Sequence, residues 1–171
     1  CFVIGHVGRF VKTKNHEFLI EVFNEVLKQK ENARLLLIGD GKLRLKIEEK
    51  VKNLGIEKAV IFLGVRNDVA DLYNAMEVFV LPSLYEGLPV VGVEVQTNGL
   101  AFICSDKVTD EILLTDNIKL LSLQQSKIEW CDAILNAERK EVLNNENSLL
   151  KNFDIKNESR KLENIYKNMV S

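Results

Sequence analysis

The chain has 171 residues, of which 46% are hydrophobic and 28% are charged, and its formal net charge is −2. This length suits one domain or one half of a larger protein, and the apolar content can fill an ordinary core, which excludes a disordered tail. A net charge this small leaves no broad basic surface, so nucleic acid is excluded as the main partner.

Membrane, secretory and cysteine signals together indicate a reduced, cytoplasmic setting. No apolar run approaches the roughly 20 residues that span a bilayer, and residues 1–8 lack the basic stretch that opens a signal peptide. The three cysteines, Cys1, Cys104 and Cys131, lack CxxC spacing, which argues against a disulfide framework and a structural zinc site. Cys104 ends a predicted strand and is expected in the core rather than as a nucleophile. Because the chain begins without Met and inside a hydrophobic pattern, we expect a fragment of a longer protein.

Short apolar runs alternate with amphipathic segments along most of the chain. Nearly continuous apolar runs are typical of strands covered on both faces, and six are predicted: Phe2–Val7, Arg34–Ile38, Val60–Leu63, Val78–Leu81, Ala101–Cys104 and Lys119–Ser122. Helical periodicity predicts helices over Glu17–Lys28, Lys42–Leu54, Asp68–Asn74, Leu88–Asn98, Ser126–Ala137 and Asn157–Val170. The alternation predicts an α/β fold, a Rossmann-like doubly wound parallel sheet of about six strands with helices on both faces. The polar stretch 136–147 is predicted as a loose connection, and the last helix is expected to cover a face of the sheet.

Glycine placement indicates where a ligand would bind. Five of the nine glycines follow a predicted strand: Gly8, Gly39, Gly41, Gly64 and Gly87. Ligands of open α/β sheets bind outside the carboxyl ends of the strands, so flexible backbone is concentrated where a ligand would lie. Gly55 and Gly99 are predicted helix stops, and Gly5 and Gly92 predict close backbone packing.

The first candidate binding cluster, residues 8–15, follows the first strand. Gly8 permits close backbone approach, and Arg9, Lys12 and Lys14 place cations before a predicted helix. Arginine presents a planar fork to phosphate oxygens, lysine adds a point charge, and a helix N-terminus adds partial positive charge. The cluster suits a diphosphate, although a solvated basic loop explains the same residues equally well. The dinucleotide fingerprint GxGxxG is absent here, which argues against a nicotinamide or flavin cofactor.

The second candidate cluster lies around the end of the fourth strand. Pro89 is expected in the first turn of a helix, where its missing N–H costs nothing. The N–H groups of Gly87 and Leu88 at the start of this helix would lack partners in the chain and would be available to an anion or a sugar oxygen. Glu86 precedes this helix and could simply cap it. Glu94 lies among valines, an apolar setting in which a carboxylate needs partners such as the two hydroxyls of a ribose. A salt bridge or a solvent-facing turn is the alternative for Glu94.

Glu86 and Glu94 bracket seven residues, and this E-x7-E spacing carries a family resemblance. It occurs together with these motifs: Gly8-Arg9, Lys14-Asn15, Gly39-Asp40-Gly41, Phe62-Leu63-Gly64, Pro82-Ser83, Glu86-Gly87-Leu88-Pro89 and Gln96/Gly99. Over residues 2–125 the set resembles the C-terminal, donor-binding domain of the GT-B retaining glycosyltransferases of family 4, which include bacterial capsule, exopolysaccharide and lipopolysaccharide enzymes. Residues 108–130 resemble the exopolysaccharide type in particular.

The resemblance implies roles for individual residues. Arg9 and Lys14 match the basic pair that holds the donor diphosphate and stabilises its charge as it leaves, and Glu86 matches a glutamate that contacts donor-sugar hydroxyls. The other implied contacts are Gly8, Gly87 and Leu88 beside the phosphates or sugar, Val65 and Arg66 beside the nucleobase, and Glu94 on the ribose. A leaving diphosphate needs charge compensation, which Arg and Lys can supply. The resemblance therefore implies no metal site and no cofactor, and no Asp-x-Asp motif occurs.

The implied function is binding of a nucleotide-diphosphate sugar, a UDP-sugar first of all, for retaining hexosyl transfer in bacterial polysaccharide or cell-envelope glycan synthesis. The acceptor, a glycan or lipid-linked sugar, is implied to bind an N-terminal domain that residues 1–171 do not include. The isolated chain is therefore expected to be inactive, and the full-length protein to associate peripherally with the cytoplasmic face of the membrane. Ala101 replaces a family proline, which is expected to alter only the turn into the fifth strand. Residues 105–108 lack a family Gly-Gly loop that lies near the donor, so the resemblance does not specify the sugar.

Three other interpretations stay open at this point. A GT-B sugar-nucleotide epimerase of the UDP-GlcNAc 2-epimerase kind shares the sheet and cleft, but E-x7-E spacing and the pair Arg9 and Lys14 favour a transferase. A receiver module of a signalling protein is a non-enzymatic alternative, and it needs acidic residues after strand one and a phosphorylatable Asp after strand three. This chain has Arg9 and the Gly-Val-Arg run 64–66 at those two places, which argues against a receiver module. A non-catalytic nucleotide-binding partner domain also fits. His6 is interpreted as a core residue and His16 as a helix cap, and neither has a metal-spaced partner.

Overall fold

The computed structural model describes residues 1–139 and 153–170 of the chain. Within them six strands form one parallel sheet in the order β3-β2-β1-β4-β5-β6. The strands are β1 (Phe2–Val7), β2 (Ala33–Ile38), β3 (Val60–Gly64), β4 (Val78–Leu81), β5 (Ala101–Ser105) and β6 (Ile118–Leu121). The predicted parallel α/β sheet is confirmed, with strand ends close to those expected.

In the described residues, helices connect the first five strands, and two further helices follow β6. They are α1 (His16–Gln29), α2 (Arg44–Asn53), α3 (Val69–Tyr73), α4 (Val90–Thr97), α5 (Lys127–Leu135) and α6 (Ile155–Val170), with 3₁₀ turns at Lys12–Lys14 and Asp110–Ile112. The side chains of β4 point alternately to the two faces of the sheet, and each set joins a different core cluster. Val78 and Val80 join the cluster that contains residues of α1, α2 and α5, whereas Phe79 and Leu81 join the cluster that contains Tyr73 of α3 and residues of α4. Both faces of β4 are therefore buried, which explains its unbroken apolar sequence.

Two helices, α2 and α4, begin two residues later than the sequence predicted. Helix α2 starts at Arg44, because the N–H of Phe10 donates to Asp40 O and the N–H of Leu43 donates to Phe10 O, which holds the preceding loop against the end of β1. Leu45, an apolar residue in the first turn of α2, is 78% exposed.

Helix α4 starts at Val90, so Pro89 precedes the helix and does not lie in its first turn as predicted. A proline disfavours helical dihedrals at the residue before it, and Pro89 itself has an extended conformation, with ψ of 121°. The N–H of Glu86 donates to Lys107 O, which keeps the preceding loop extended as well.

The predictions for Gly5, Gly55, Gly92 and Gly99 are confirmed, whereas Gly64, predicted to follow the third strand, is its last residue. Gly55 and Gly99 follow α2 and α4 with φ of 69° and 73°, the left-handed conformation that glycine adopts at low cost. A Cβ on Gly5 would overlap the side chain of Met76, and one on Gly92 would lie 2.5 Å from a carbon of Ile112. Close packing therefore accounts for both interior glycines.

The C-terminal part differs from the sequence prediction. Helix α6 was expected to cover a face of the sheet, but Leu162, Ile165 and Tyr166 are 52%, 52% and 61% exposed. Of the predicted loose connection, residues 140–147 lie outside the described residues. No helix within residues 1–139 and 153–170 is long and apolar enough to cross a membrane.

Candidate functional site

The strand order brings the two predicted clusters to one edge of the sheet. Strands β1 and β4 are neighbours, and the chain proceeds from β1 towards β3 on one side and from β4 towards β6 on the other. Such a reversal of strand order opens a crevice outside the carboxyl ends of the strands, where doubly wound folds bind ligands. The loop after β1 and the loop after β4 flank this crevice.

Direct hydrogen bonds join these two loops. The N–H of Leu84 donates to Thr13 O at 2.8 Å, and the side-chain amide of Asn15 donates to Pro82 O at 3.1 Å. Asn15 has φ of 55°, a left-handed conformation that asparagine tolerates better than most residues. The two loops therefore form one structural unit, and Asn15 is the residue that joins the 3₁₀ turn to α1.

Lys14 and Glu86 form an ion pair across the crevice. Lys14 Nζ lies 2.5 Å from Glu86 Oε1, and each side chain is only 17% exposed. The buried hydroxyl of Ser83 donates to the same carboxylate oxygen at 3.0 Å. Glu86 therefore does not cap α4, which was the alternative considered for it. The predicted diphosphate cation and the predicted sugar-binding acid are in direct contact.

A cavity of about 610 Å³ lies at the carboxyl ends of β1 and β2. Its lining comes from the loops after β1, β2 and β3 and from the start of α3: Val7, Gly8, Arg9, Ile38, Gly39, Asp40, Gly41, Val65, Arg66 and Val69. The volume falls within the roughly 300–1,000 Å³ of small-molecule sites. Gly39 has φ of 128°, and a Cβ there would overlap the carbonyl oxygen of Gly8. The close approach of these loops therefore requires glycine.

The structure brings four of the predicted site residues into the cavity lining, namely Gly8, Arg9, Val65 and Arg66. The others lie outside that lining: Lys14, Glu86, Gly87, Leu88 and Glu94. Gly8 connects the two groups, because a Cβ built on it would lie 3.2 Å from Lys14 Cδ. The Lys14–Glu86 pair therefore borders the cavity across a single glycine.

The backbone before α4 offers free donors. Within residues 1–139 and 153–170, the N–H groups of Gly87 and Leu88 donate to no protein acceptor. Gly87 is exposed and Leu88 is half-buried. Both N–H groups are thus available to an anion or a sugar oxygen, although α4 itself begins two residues after Leu88.

Glu94 is exposed, so the prediction that it lies in an apolar setting is wrong. Successive helical residues point about 100° apart, and the valines beside Glu94 in sequence therefore do not surround its carboxylate. Its Oε2 accepts a hydrogen bond of 2.8 Å from the hydroxyl of Tyr73, at the end of α3. The exposure agrees with the solvent-facing alternative considered for Glu94, and among residues 1–139 and 153–170 it forms no salt bridge.

The charged residues around the cavity differ in how they are paired. Arg66 bonds Asp68, with Nε 2.7 Å from Oδ1, and this pairing raises the pKa of Arg66 and lowers that of Asp68. Arg44 lies 3.6 Å from Asp40. Arg9, in contrast, is exposed and forms no ion pair with the described part of the chain. Its guanidinium is therefore free for an anionic ligand.

Two histidines lie beneath the loop after β1. His6 and His16 are both buried, with ring centroids 4.6 Å apart, and His16 stacks on Phe10 at 4.1 Å. His6 is a core residue as predicted, and its Nδ1 lies 2.8 Å from Val80 O. His16 is not a helix cap, because its ring is packed in the core. Burial lowers the pKa of His6 to about 4 and that of His16 to about 2, and the charge of Lys14 acts in the same direction.

Sequence reasoning assigned no role in the site to Asp40, Val69 or Tyr73. Asp40 and Val69 line the cavity, and Tyr73 contacts Glu94. Asp40 lay within a motif between two glycines and could have been found there, whereas Tyr73 gave no signal. Cys104 is buried as expected, and burial raises the pKa of its thiol to about 12. Across the described ranges, His, Cys, Asp and Glu form no cluster of three that could hold a metal ion.

Comparisons with known proteins agree with this architecture. The chain is 39% identical over 136 residues to the putative glycosyltransferase EpsF of Bacillus subtilis, a match that covers 79% of this chain and 35% of that protein. It is 27% identical over 178 residues to UDP-Gal:alpha-D-GlcNAc-diphosphoundecaprenol alpha-1,3-galactosyltransferase of Escherichia coli, covering 99% of this chain and 46% of that protein. The chain thus spans less than half the length of these relatives.

A solved structure has the same fold. The crystal structure of Anabaena Alr3699/HepE in complex with UDP superimposes with a TM-score of 0.76 at 22% identity, over 97% of this chain and 49% of that one. The family model described as glycosyl transferases group 1 matches residues 2–158. That match covers nearly the whole chain, and the chain therefore belongs to the group 1 family of glycosyl transferases.

Proposed function

We propose that this chain is the donor-binding domain of a retaining hexosyltransferase that uses a nucleotide-diphosphate sugar, with a UDP-sugar as the donor. The observation that carries the proposal is the Lys14–Glu86 pair, which borders the cavity across Gly8 in a member of a glycosyl transferase family. A cation and an acid in contact beside a cavity suit a ligand whose anionic diphosphate is followed at once by a hydroxyl-rich sugar.

Each part of the donor has a matching set of residues. In this proposal the nucleobase occupies the cavity beside Val65 and Arg66. The ribose lies towards Glu94, and the diphosphate lies over Gly8 between Arg9 and Lys14. The sugar then lies against Glu86, whose carboxylate accepts from its hydroxyls. Two similar proteins support a uridine nucleotide: the Anabaena structure contains UDP, and the E. coli relative is named for UDP-Gal.

Catalysis in this proposal is charge compensation at the leaving group. When the bond from the sugar to the diphosphate breaks, negative charge develops on the diphosphate oxygens, and preorganised donors stabilise that charge. Arg9 and Lys14 supply cationic donors, and the N–H groups of Gly87 and Leu88 supply neutral ones. We therefore propose that transfer needs no metal ion. Activity of the full-length protein in excess EDTA should match that with Mg²⁺, and a loss in EDTA that Mg²⁺ restores would contradict this.

The acceptor in this proposal binds outside residues 1–171. The E. coli relative is named for a GlcNAc-diphosphoundecaprenol acceptor, which supports a lipid-linked sugar and hence action at the cytoplasmic face of the membrane. Polysaccharide or cell-envelope glycan synthesis is the process that fits such an acceptor.

A thermal-shift panel of UDP-, GDP- and ADP-sugars on the protein at its natural full length tests the proposal. UDP-sugars should raise the melting temperature most, because binding to the folded state alone stabilises it. Stabilisation by none of the nucleotide sugars would contradict donor binding. Product analysis then separates the alternatives: inversion at C2 of UDP-GlcNAc without acceptor would indicate an epimerase, and binding without turnover would indicate a non-catalytic partner domain.

A further inference from the structure

Tyr73 and Glu94 connect two elements that border the crevice. Tyr73 is the last residue of α3, and its hydroxyl donates to Oε2 of Glu94 on α4 at 2.8 Å. The first residue of α3, Val69, lines the cavity. The short helix α3 therefore contributes both to the cavity wall and to the position of the exposed carboxylate.

The tyrosine is buried and packed, whereas the glutamate is exposed. Tyr73 is 2% exposed, and its ring packs edge-on against Phe79 of β4, with ring centroids 6.1 Å apart. Its carbonyl oxygen accepts from Arg139 at 3.3 Å. Glu94 is exposed, and an exposed glutamate ordinarily samples several rotamers. The buried phenol therefore selects one of them.

The hydrogen bond leaves Glu94 able to bind a ligand. Burial, together with the neighbouring carboxylate, raises the pKa of the Tyr73 phenol far above its usual value, so the hydroxyl stays a donor at physiological pH. An ionised carboxylate offers about four acceptor positions on two oxygens. Tyr73 uses one of them, and the two hydroxyls of a ribose can use two of the others.

We propose that Tyr73 is a positioning residue that holds the Glu94 carboxylate in the orientation that accepts both hydroxyls of the donor ribose. This inference rests on the proposed function, since it assumes that Glu94 contacts a nucleotide. It adds that the affinity difference between a ribonucleoside diphosphate and a bare diphosphate depends on one buried hydroxyl with no ligand contact of its own.

Calorimetry of UDP and pyrophosphate on the full-length protein tests the inference. Tyr73→Phe removes a single oxygen and keeps the ring. We expect UDP to bind about 3- to 10-fold more weakly, the range for one hydrogen bond, with pyrophosphate unchanged. In a Glu94→Gln background, Tyr73→Phe should add little further loss, because the oriented carboxylate is already gone. Tyr166→Phe, at a 61% exposed tyrosine on α6, is the matched control and should change neither affinity.

The outcomes separate this inference from the proposed function. Equal losses for UDP and pyrophosphate, or independent losses in the double variant, would show that Tyr73 acts through the fold alone and would overturn the inference. Tighter UDP binding by Tyr73→Phe would also overturn it, because the hydroxyl would then compete with the ligand. If Glu94→Gln weakens UDP selectively while Tyr73→Phe has no effect, only the inference fails. If Glu94→Gln has no selective effect, the ribose assignment and the inference fail together.

Discussion

Replacement of Lys14 by methionine is the most direct test of the crevice, because it removes the ammonium group and keeps the aliphatic stem that lies over Gly8. Two properties should change. The folded chain loses the ion pair with Glu86, and the ligand loses a cation beside its diphosphate. The two effects can be measured separately, since the first appears in unfolding without ligand and the second in binding.

The structure sets the size of both effects. Exposed ion pairs contribute about 0–1 kcal/mol, and removal of one partner of a fully buried pair costs about 3–5 kcal/mol. Side chains that are each 17% exposed fall between these cases, and Ser83 still donates to Glu86 in the variant, so we expect a loss of about 1–2 kcal/mol. A charge-assisted hydrogen bond to a ligand contributes about 1.5–3 kcal/mol. Because Lys14 is already paired in the free chain, we expect the lower end, about a tenfold weaker Kd for UDP.

Urea unfolding and calorimetry with UDP measure these changes in Lys14→Met and in Lys12→Met. Lys12 lies in the same 3₁₀ turn and is exposed, and it forms no ion pair with the described residues. It is therefore a matched control for net charge, and its replacement should leave the free energy of unfolding unchanged and affect UDP binding little. Equal losses of UDP affinity in both variants would refute the reasoning, because long-range charge alone would then explain binding.

Three further predictions concern the same loops. Arg9→Ala should weaken UDP binding about tenfold in calorimetry with unfolding in urea unchanged, because Arg9 is exposed and unpaired in the described chain; a large loss of stability would contradict this. Gly39→Ala should lower the free energy of unfolding by about 1–3 kcal/mol or more, because Gly39 has φ of 128° and the new Cβ would overlap Gly8 O. A urea unfolding curve identical to that of the wild type would contradict this prediction. Folding lowers the pKa of His6 and His16 below 6.5, so the unfolded chain takes up protons first. The free energy of unfolding should therefore fall by about 2 kcal/mol per histidine from pH 7 to pH 5. A free energy of unfolding that does not change over this pH range would show that both rings become protonated within the folded chain.

The sequence predicted the sheet well because its strands are buried on both faces. In β4, Phe79 and Leu81 contact one core cluster while Val78 and Val80 contact the other, so no polar residue interrupts the run. Helix stops at glycines were equally readable, since the left-handed conformation after a helix has a strong residue preference. Strand burial and helix ends each depend on a few residues that are neighbours in the chain, so both could be predicted from the sequence.

The orientation of Glu94 could not be predicted in the same way. The apolar character of its neighbours suggested burial, but the helix turns them away from its carboxylate. Its partner Tyr73 is 21 residues away on another helix. His16 likewise looked like a cap and lies instead in the core against Phe10 and His6. In each case the element was correctly predicted, but the environment of the side chain was not.

The alternation of strands and helices, the glycines at the strand ends and the residue types suited to a diphosphate and a sugar can all be read from neighbouring residues, because periodicity and turn preferences arise locally. The contact of Lys14 with Glu86, the position of Gly8 between this pair and a cavity, and the hydrogen bond from Tyr73 to Glu94 are visible only in the folded chain. Contacts between loops instead depend on the order of strands in the sheet, which places β1 beside β4.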